Sequence, residues 1–273
     1  MINNKYKLVE NIGEGGFGNV YKAKNILNDN IVAVKLGKID NNQDIVLKNE
    51  AKIYRLLKDI SGIPKLRSYG TIENFMYIVL DYMDLSLSDL ISTKKQLNIY
   101  TVASIGIQMI NRLESIHKLN VIHRDIKPGN ILIKQDNSMI YLADFGLATL
   151  FIIDNNHIVR KQSDIITGTN KYSSKNVKQG YNSSCRDDLE SLFYVLIELY
   201  LGYIPEYITN TDSACCESIW DVLKGCPGEL LTACNYCRQL YFDEKPNYKY
   251  LKDLLNTWRD NITNDADKYI EWL

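Results

Sequence analysis

Residues 121–130 read Val-Ile-His-Arg-Asp-Ile-Lys-Pro-Gly-Asn, a dense polar cluster between apolar flanks. A polar loop between two buried segments is where a rigid scaffold presents chemistry. Asp125 can accept a proton and Lys127 can meet an anion. Asn130, five residues after Asp125, can hold a metal ion through its amide oxygen. A plain turn is the bland alternative. Further on, Asp144-Phe145-Gly146 follows an apolar run, and an aspartate leaving a strand can hold Mg²⁺ against phosphates. Phe145 is expected to pack inward.

Earlier in the chain, Gly13-Glu14-Gly15-Gly16-Phe17-Gly18-Asn19-Val20 has the form G-x-G-x-x-G-x-V. In a dinucleotide fold such a run opens a helix and meets an acid about twenty positions on. Here Val20-Tyr21-Lys22-Ala23 continues as strand. The pattern favours a glycine-rich hairpin whose bare backbone N–H groups approach phosphate oxygens, with a plain hairpin turn as the alternative. Lys35 ends the apolar strand Ile31-Val32-Ala33-Val34. It is either a strand end reaching solvent or a buried lysine, which needs a carboxylate partner. Glu50 is the candidate: it shares a helix face with Tyr54 and Leu57 at spacings of four and three.

The elements that must position these residues are legible in outline. Strands are expected over Tyr6–Ile12, Asn19–Lys24, Ile31–Leu36, Leu66–Tyr69 and Phe75–Leu80. A helix is expected over Gln43–Asp59, stopped by Gly62 and Pro64. From Leu87 the pattern turns helical. Val102, Ile105, Met109, Leu113 and Ile116 form one stripe, on a helix leading into the polar loop. Ile131–Ile133 and Ile140–Leu142 read as a β pair, 147–176 as loop, Asp188–Leu201 as a buried helix, and 203–273 as helices with loops. The fold class is therefore α+β and bilobal: one domain, 1–273, with a small antiparallel β-rich lobe (about 1–83) and a larger helical lobe (about 84–273). A nucleotide would sit between the lobes.

Composition bounds the rest. The 273 residues are 45% hydrophobic, enough for a packed core. Formal charge is −1, which gives no global argument for a nucleic-acid partner. No signal peptide is visible at the start, and Leu192–Ile204 is too short to span a bilayer. The expectation is a soluble intracellular protein, cytoplasmic or nuclear, with no membrane partner. All six cysteines lie at or after Cys185, with one C-x-x-C at Cys234 and Cys237. Zinc needs four ligands, so reduced structural thiols are the stronger reading.

The five signals occur together in one order, and on them the chain resembles the eukaryotic protein kinase family over nearly its whole length. Further segments look like casein kinase I: Ser61-Gly62-Ile63-Pro64, Gly168-Thr169-Asn170-Lys171-Tyr172, Arg186-Asp187-Asp188-Leu189-Glu190-Ser191-Leu192 and Phe242-Asp243-Glu244-Lys245-Pro246-Asn247-Tyr248. The usual Ala-Pro-Glu is absent, as in that branch, and Tyr269-Ile270-Glu271-Trp272 resembles the end of its catalytic domain.

The resemblance implies a monomeric serine/threonine kinase that transfers the ATP γ-phosphate to protein substrates, with ATP and Mg²⁺ required. Asp125 would orient the hydroxyl and take its proton, and Lys127 would neutralise the moving phosphoryl group. Lys35, paired with Glu50, would hold the α/β-phosphates, and Asn130 and Asp144 would hold Mg²⁺. Ile12, Gly13, Gly15, Gly18, Val20 and Ala33 would enclose the nucleotide, with Leu80, Asp81 and Met83 at the adenine hinge. Arg124 would pair with a phosphorylated loop in many kinases; here that role is idle or filled by an unphosphorylated contact. Members of that branch carry basic residues that bind a phosphate on a primed substrate, and the resemblance would let Lys171 supply one such charge. Departures are Cys185, where a basic residue is expected, Phe193 for a glycine, and Thr209–Leu223, which lacks the branch's lysine-rich loop. The rival class is a kinase-like scaffold without catalysis, which would usually lose Lys35-, Asp125- or Asp144-type residues.

Overall fold

A computed structural model describes residues 1–15, 18–39, 43–135, 137–162, 167–205 and 225–272. The first lobe is a five-stranded antiparallel sheet in the order β1-β2-β3-β5-β4. Its strands are β1 (Tyr6–Gly15), β2 (Gly18–Asn25), β3 (Ile31–Lys38), β4 (Leu66–Ile72) and β5 (Phe75–Asp81). All run longer than sequence reading expects, because ladder hydrogen bonds extend past the apolar run. Period-two geometry splits β3: Val32 and Val34 go to one face, Ala33 and Lys35 to the other. The register sets Lys35 between Val20 and Ile78.

Helix α1 (Gln43–Leu56) packs on the Lys35 side, burying Leu47, Glu50, Ala51, Ile53 and Tyr54. It ends three residues before the expected Asp59, although Leu57 stays fully buried. The linker then turns at Gly62 (φ 79°), where a Cβ would lie 2.1 Å from Arg112 Nε. The Gly62 carbonyl accepts the Leu142 N–H at 2.9 Å.

The second lobe begins with β6 (Leu85–Ser86) and α2 (Leu87–Lys94), where Ser86 and Asp89 form a capping box. Helix α3 (Ile99–Lys118) starts on the Asn98 cap and buries the expected stripe. The β7 (Val121–Ile122), β8 (Ile131–Ile133) and β9 (Ile140–Leu142) strands frame the polar loop. The described residues of 147–176 are more ordered than a plain loop. They contain β10 (Thr149–Leu150), the β11–β12 hairpin (Ile152–Ile153 with Asn156–His157) and a 3₁₀ turn, and reach the start of α4 (Lys175–Lys178).

Helix α5 (Cys185–Leu201) begins three residues before the expected Asp188. Ser184 and Asp187 cap each other, so the charged Cys-Arg-Asp-Asp run is the first turn of a buried helix. Helices α6 (Gly228–Gln239) and α7 (Tyr248–Asp260) complete the described lobe. Gly16, Phe17, Ser163, the Thr209–Leu223 stretch, Cys215, Cys216 and Leu273 lie outside the described residues.

Two cores form. The larger runs from α1 and the inner face of β5 through α3, α5, α6 and α7. The smaller, with Tyr6, Val32, Val34, Tyr77 and Val79, lies on the outer face of the sheet. No helix among the described residues is long and apolar enough to cross a membrane.

Candidate active site

The polar loop is bracketed by backbone pairing. Ile122 and Val121 pair with Thr149 and Leu150, and Ile131–Ile133 pair with β9. Inside the loop, polar groups are buried and satisfied. His123 is fully buried, and its Nε2 lies 3.0 Å from the Ala143 carbonyl. The His123 and Arg124 N–H groups donate to the two oxygens of Asp188, at 2.7 and 2.8 Å. Asp188 also meets His117 Nε2 at 3.1 Å. Burial would push the Asp188 carboxyl up, but its bonds with His117 and the field of His123 hold it below the usual carboxylate range.

Asp125 is buried and uses both oxygens. Oδ1 accepts from the Thr169 N–H at 2.9 Å and its hydroxyl at 2.7 Å. Oδ2 accepts from Lys127 Nζ at 2.6 Å and Asn130 Nδ2 at 3.1 Å. Lys127 also reaches Thr169 Oγ1 at 3.1 Å. Asn130 Nδ2 donates to the Asp125 carbonyl at 2.8 Å as well, so its amide oxygen is the atom left to offer a cation. Thr169 can come this close because Gly168 (φ 96°) has no Cβ; one would lie 2.4 Å from the Arg124 carbonyl. The Arg124 guanidinium donates to the Leu147 carbonyl at 2.6 Å, an unphosphorylated contact.

Above the loop, Lys35 Nζ lies 2.8 Å from both Glu50 Oε2 and Asp144 Oδ1. Burial alone would lower the Lys35 pKa, but the two carboxylates outweigh it and hold the ammonium above its ordinary value. Burial pushes the Glu50 carboxyl up to about 7, against the pull of Lys35. Asp144 moves the other way: burial would raise it, but Lys35 holds it low.

These groups share one cleft of about 680 Å³. Ile12, Gly13, Gly18, Val20 and Ala33 line its roof, while Leu80, Asp81 and Met83 line the side where the lobes join. Lys35, Glu50, Asp144, Lys127 and Asn130 line the interior. Gly15 pairs with Gly18 at the hairpin tip, and Asp125 lies just outside the described lining. Gly18 (φ 121°) owes its identity to packing as well: a Cβ would fall 2.0 Å from the Leu36 carbonyl. Lys35, Asp144 and the Asn130 amide oxygen supply one cation and hard oxygen donors at the same cleft. That set fits a Mg²⁺-bound triphosphate.

Several lining or supporting residues escaped sequence reasoning. Leu132 and Ala143 line the cleft as ordinary apolar positions. Thr169, Asp188 and His117 act through distant elements; only the Gly168-Thr169 pair and the buried-helix aspartate offered a signal. Lys171, read as a candidate charge for substrate phosphate, is ion-paired with Glu198 at 2.6 Å. Phe145 packs inward as expected, edge-on to Tyr54 and His123.

Among the described residues the cysteines form no metal cluster. Cys234 and Cys237 are buried on α6, where desolvation raises both thiols; zinc needs the thiolate. No group of three or more His, Cys, Asp or Glu that could hold a metal ion occurs among the described residues. One comparison places the whole arrangement: a family model described as protein kinase domain matches residues 6–254.

Proposed function

The chain belongs to the protein kinase family, and from that premise we propose that it is a serine/threonine kinase of casein-kinase-I-like type. Its reaction would be transfer of the ATP γ-phosphate to a protein hydroxyl. The observation that carries the reading is the Asp125–Lys127–Thr169 cluster, in which one carboxylate is bonded by an ammonium and by a threonine of the following segment.

Phosphoryl transfer asks for in-line placement and charge neutralisation more than for covalent chemistry. Asp125 orients the acceptor hydroxyl and takes its proton. The Lys127 ammonium, held at Asp125, neutralises charge on the transferring group. Lys35, fixed by Glu50, holds the nucleotide phosphates beneath the glycine hairpin. Asn130 and Asp144 would hold Mg²⁺, which when bound neutralises the phosphate oxygens. The hinge side at Leu80, Asp81 and Met83 receives the adenine.

Serine/threonine choice is supported by a lysine two residues after Asp125, the spacing found in that class of kinase. Casein kinase I likeness is supported by the segments at Ser61, Gly168, Arg186 and Phe242. Lys171 is engaged by Glu198, and Cys185, a thiol rather than a cation, is buried at the start of α5. Both support substrate choice that does not rest on a priming phosphate.

The test is transfer of radiolabel from ATP to casein, expected for the wild type and lost in Asp125→Asn. A wild type that binds Mg·ATP yet labels neither a substrate nor itself would make the protein a scaffold instead.

A further inference from the structure

Helix α1 grips the segment after β9 by more than the Lys35 ion pairs. The Asp144 N–H donates to the Tyr54 hydroxyl at 3.1 Å. The next N–H, of Phe145, donates to the Glu50 carboxylate. Asn49 Nδ2 donates to the Ala148 carbonyl at 2.9 Å. Gly146 runs so close to the helix that a Cβ would meet Val46 Cγ1 at 3.2 Å. Positions 46, 49, 50 and 54 lie on one helix face at spacings of three and four, so a single face of α1 reads the backbone of 144–148. Arg124 holds the same segment from the other side, through the Leu147 carbonyl.

Asp144 itself sits at φ 63°. For a residue other than glycine this left-handed conformation is strained, and it persists only where the surroundings over-determine it. The Tyr54 hydroxyl supplies part of that determination. It is fixed in turn by a side chain that is almost fully buried and edge-on to Phe145, with ring centroids 5.1 Å apart.

We propose that Tyr54 and Asn49 are positioning residues. Together they form a latch that keeps the Asp144 carboxylate facing Lys35 and the metal position. The inference rests on the phosphoryl-transfer reading for its catalytic consequence, but not for its structural one.

Tyr54→Phe tests it, because the ring and its packing remain while the hydroxyl goes. Losing one buried hydrogen bond should raise deuterium uptake by the amides of residues 144–148 about fivefold in the nucleotide-free protein. The half-saturating Mg²⁺ concentration for transfer should rise by a similar factor, with the KM for protein substrate unchanged. Asn49→Ala should raise uptake at 147–149 by about twofold to fivefold. Wild-type uptake and wild-type Mg²⁺ dependence in Tyr54→Phe would overturn the latch. Uptake is read without turnover, so it decides the latch even if the wild type transfers no phosphate.

Discussion

The glycine hairpin and the polar loop at 121–130 face each other across one cleft and are built on opposite principles. The hairpin is a ladder with few side-chain anchors. Ile12 is 44% exposed, and β1 has irregular register at Leu8/Glu10 and Asn11/Gly13. The polar loop is the reverse: His123 is 0% exposed, and Asp188 and Asn130 bond its backbone from within the large core. The sheet's outer core is small and separate, whereas α1 shares the large core with the helical lobe. The difference teaches that groups doing chemistry are immobilised by burial, while the roof over the nucleotide is held mainly by its strands and can give.

Substitutions can break or sharpen that contrast. Asp125→Asn should lower kcat by about 10³-fold, the usual weight of a positioned base, with the thermal midpoint little changed; steady-state kinetics and a melt check both. Glu50→Gln leaves the Lys35 ammonium buried with Asp144 alone. Losing one partner of a buried pair costs about 3–5 kcal/mol, and it should appear as a lower denaturation midpoint together with a fall in kcat/KM for ATP.

Gly18→Ala strikes the roof, where the new Cβ meets the Leu36 carbonyl. The expected outcome is a rise in KM for ATP of about tenfold, equivalent to about 1.4 kcal/mol of binding, with a smaller change in kcat. A loss of kcat equal to that of Asp125→Asn would remove the distinction between roof and floor.

The smallest effect expected is on pH. Burial lowers the His117 pKa, but the Cys185 sulfur and the Asp188 carboxylate outweigh it and raise the imidazole to about 9. Tyr248, whose hydroxyl lies 2.7 Å from Nδ1, also faces it. Because the folded pKa lies above the ordinary value, its stabilisation is complete below about 6.5 and is lost as pH rises through about 9. Urea midpoints from pH 6 to 9.5 should fall for the wild type and stay flatter for His117→Gln.

Much of this was legible in the sequence. Apolar runs marked the strands, a stripe marked α3, and the chemical residues stood in short motifs. The Glu50, Tyr54 and Leu57 face pointed inward as its spacing implied. What stayed hidden has one physical cause: side chains that bond the backbone of a remote segment carry no periodic signal. Tyr54 reads as an ordinary core aromatic until its hydroxyl meets the Asp144 N–H. The buried helix reads as starting at Asp188, yet Cys185, Arg186 and Asp187 belong to its first turn, because Ser184 caps Asp187 and the 121–130 loop bonds the Asp188 carboxylate. Lys171 looked available because Glu198 lies on another element.

The turn at Gly62 gives α1 the mechanics of a lever. The carbonyl of Gly62 is tied to Leu142 and its Cα is pressed against Arg112, so the far end of the helix is the fulcrum. At 1.5 Å per residue, Tyr54 stands about 3 Å from Leu56 along the axis, Glu50 about 9 Å and Gln43 about 20 Å. An outward swing therefore carries Glu50 roughly three times as far as Tyr54. The Lys35 ion pair would part while the hydroxyl still held Asp144, so disengagement of this site has a built-in order.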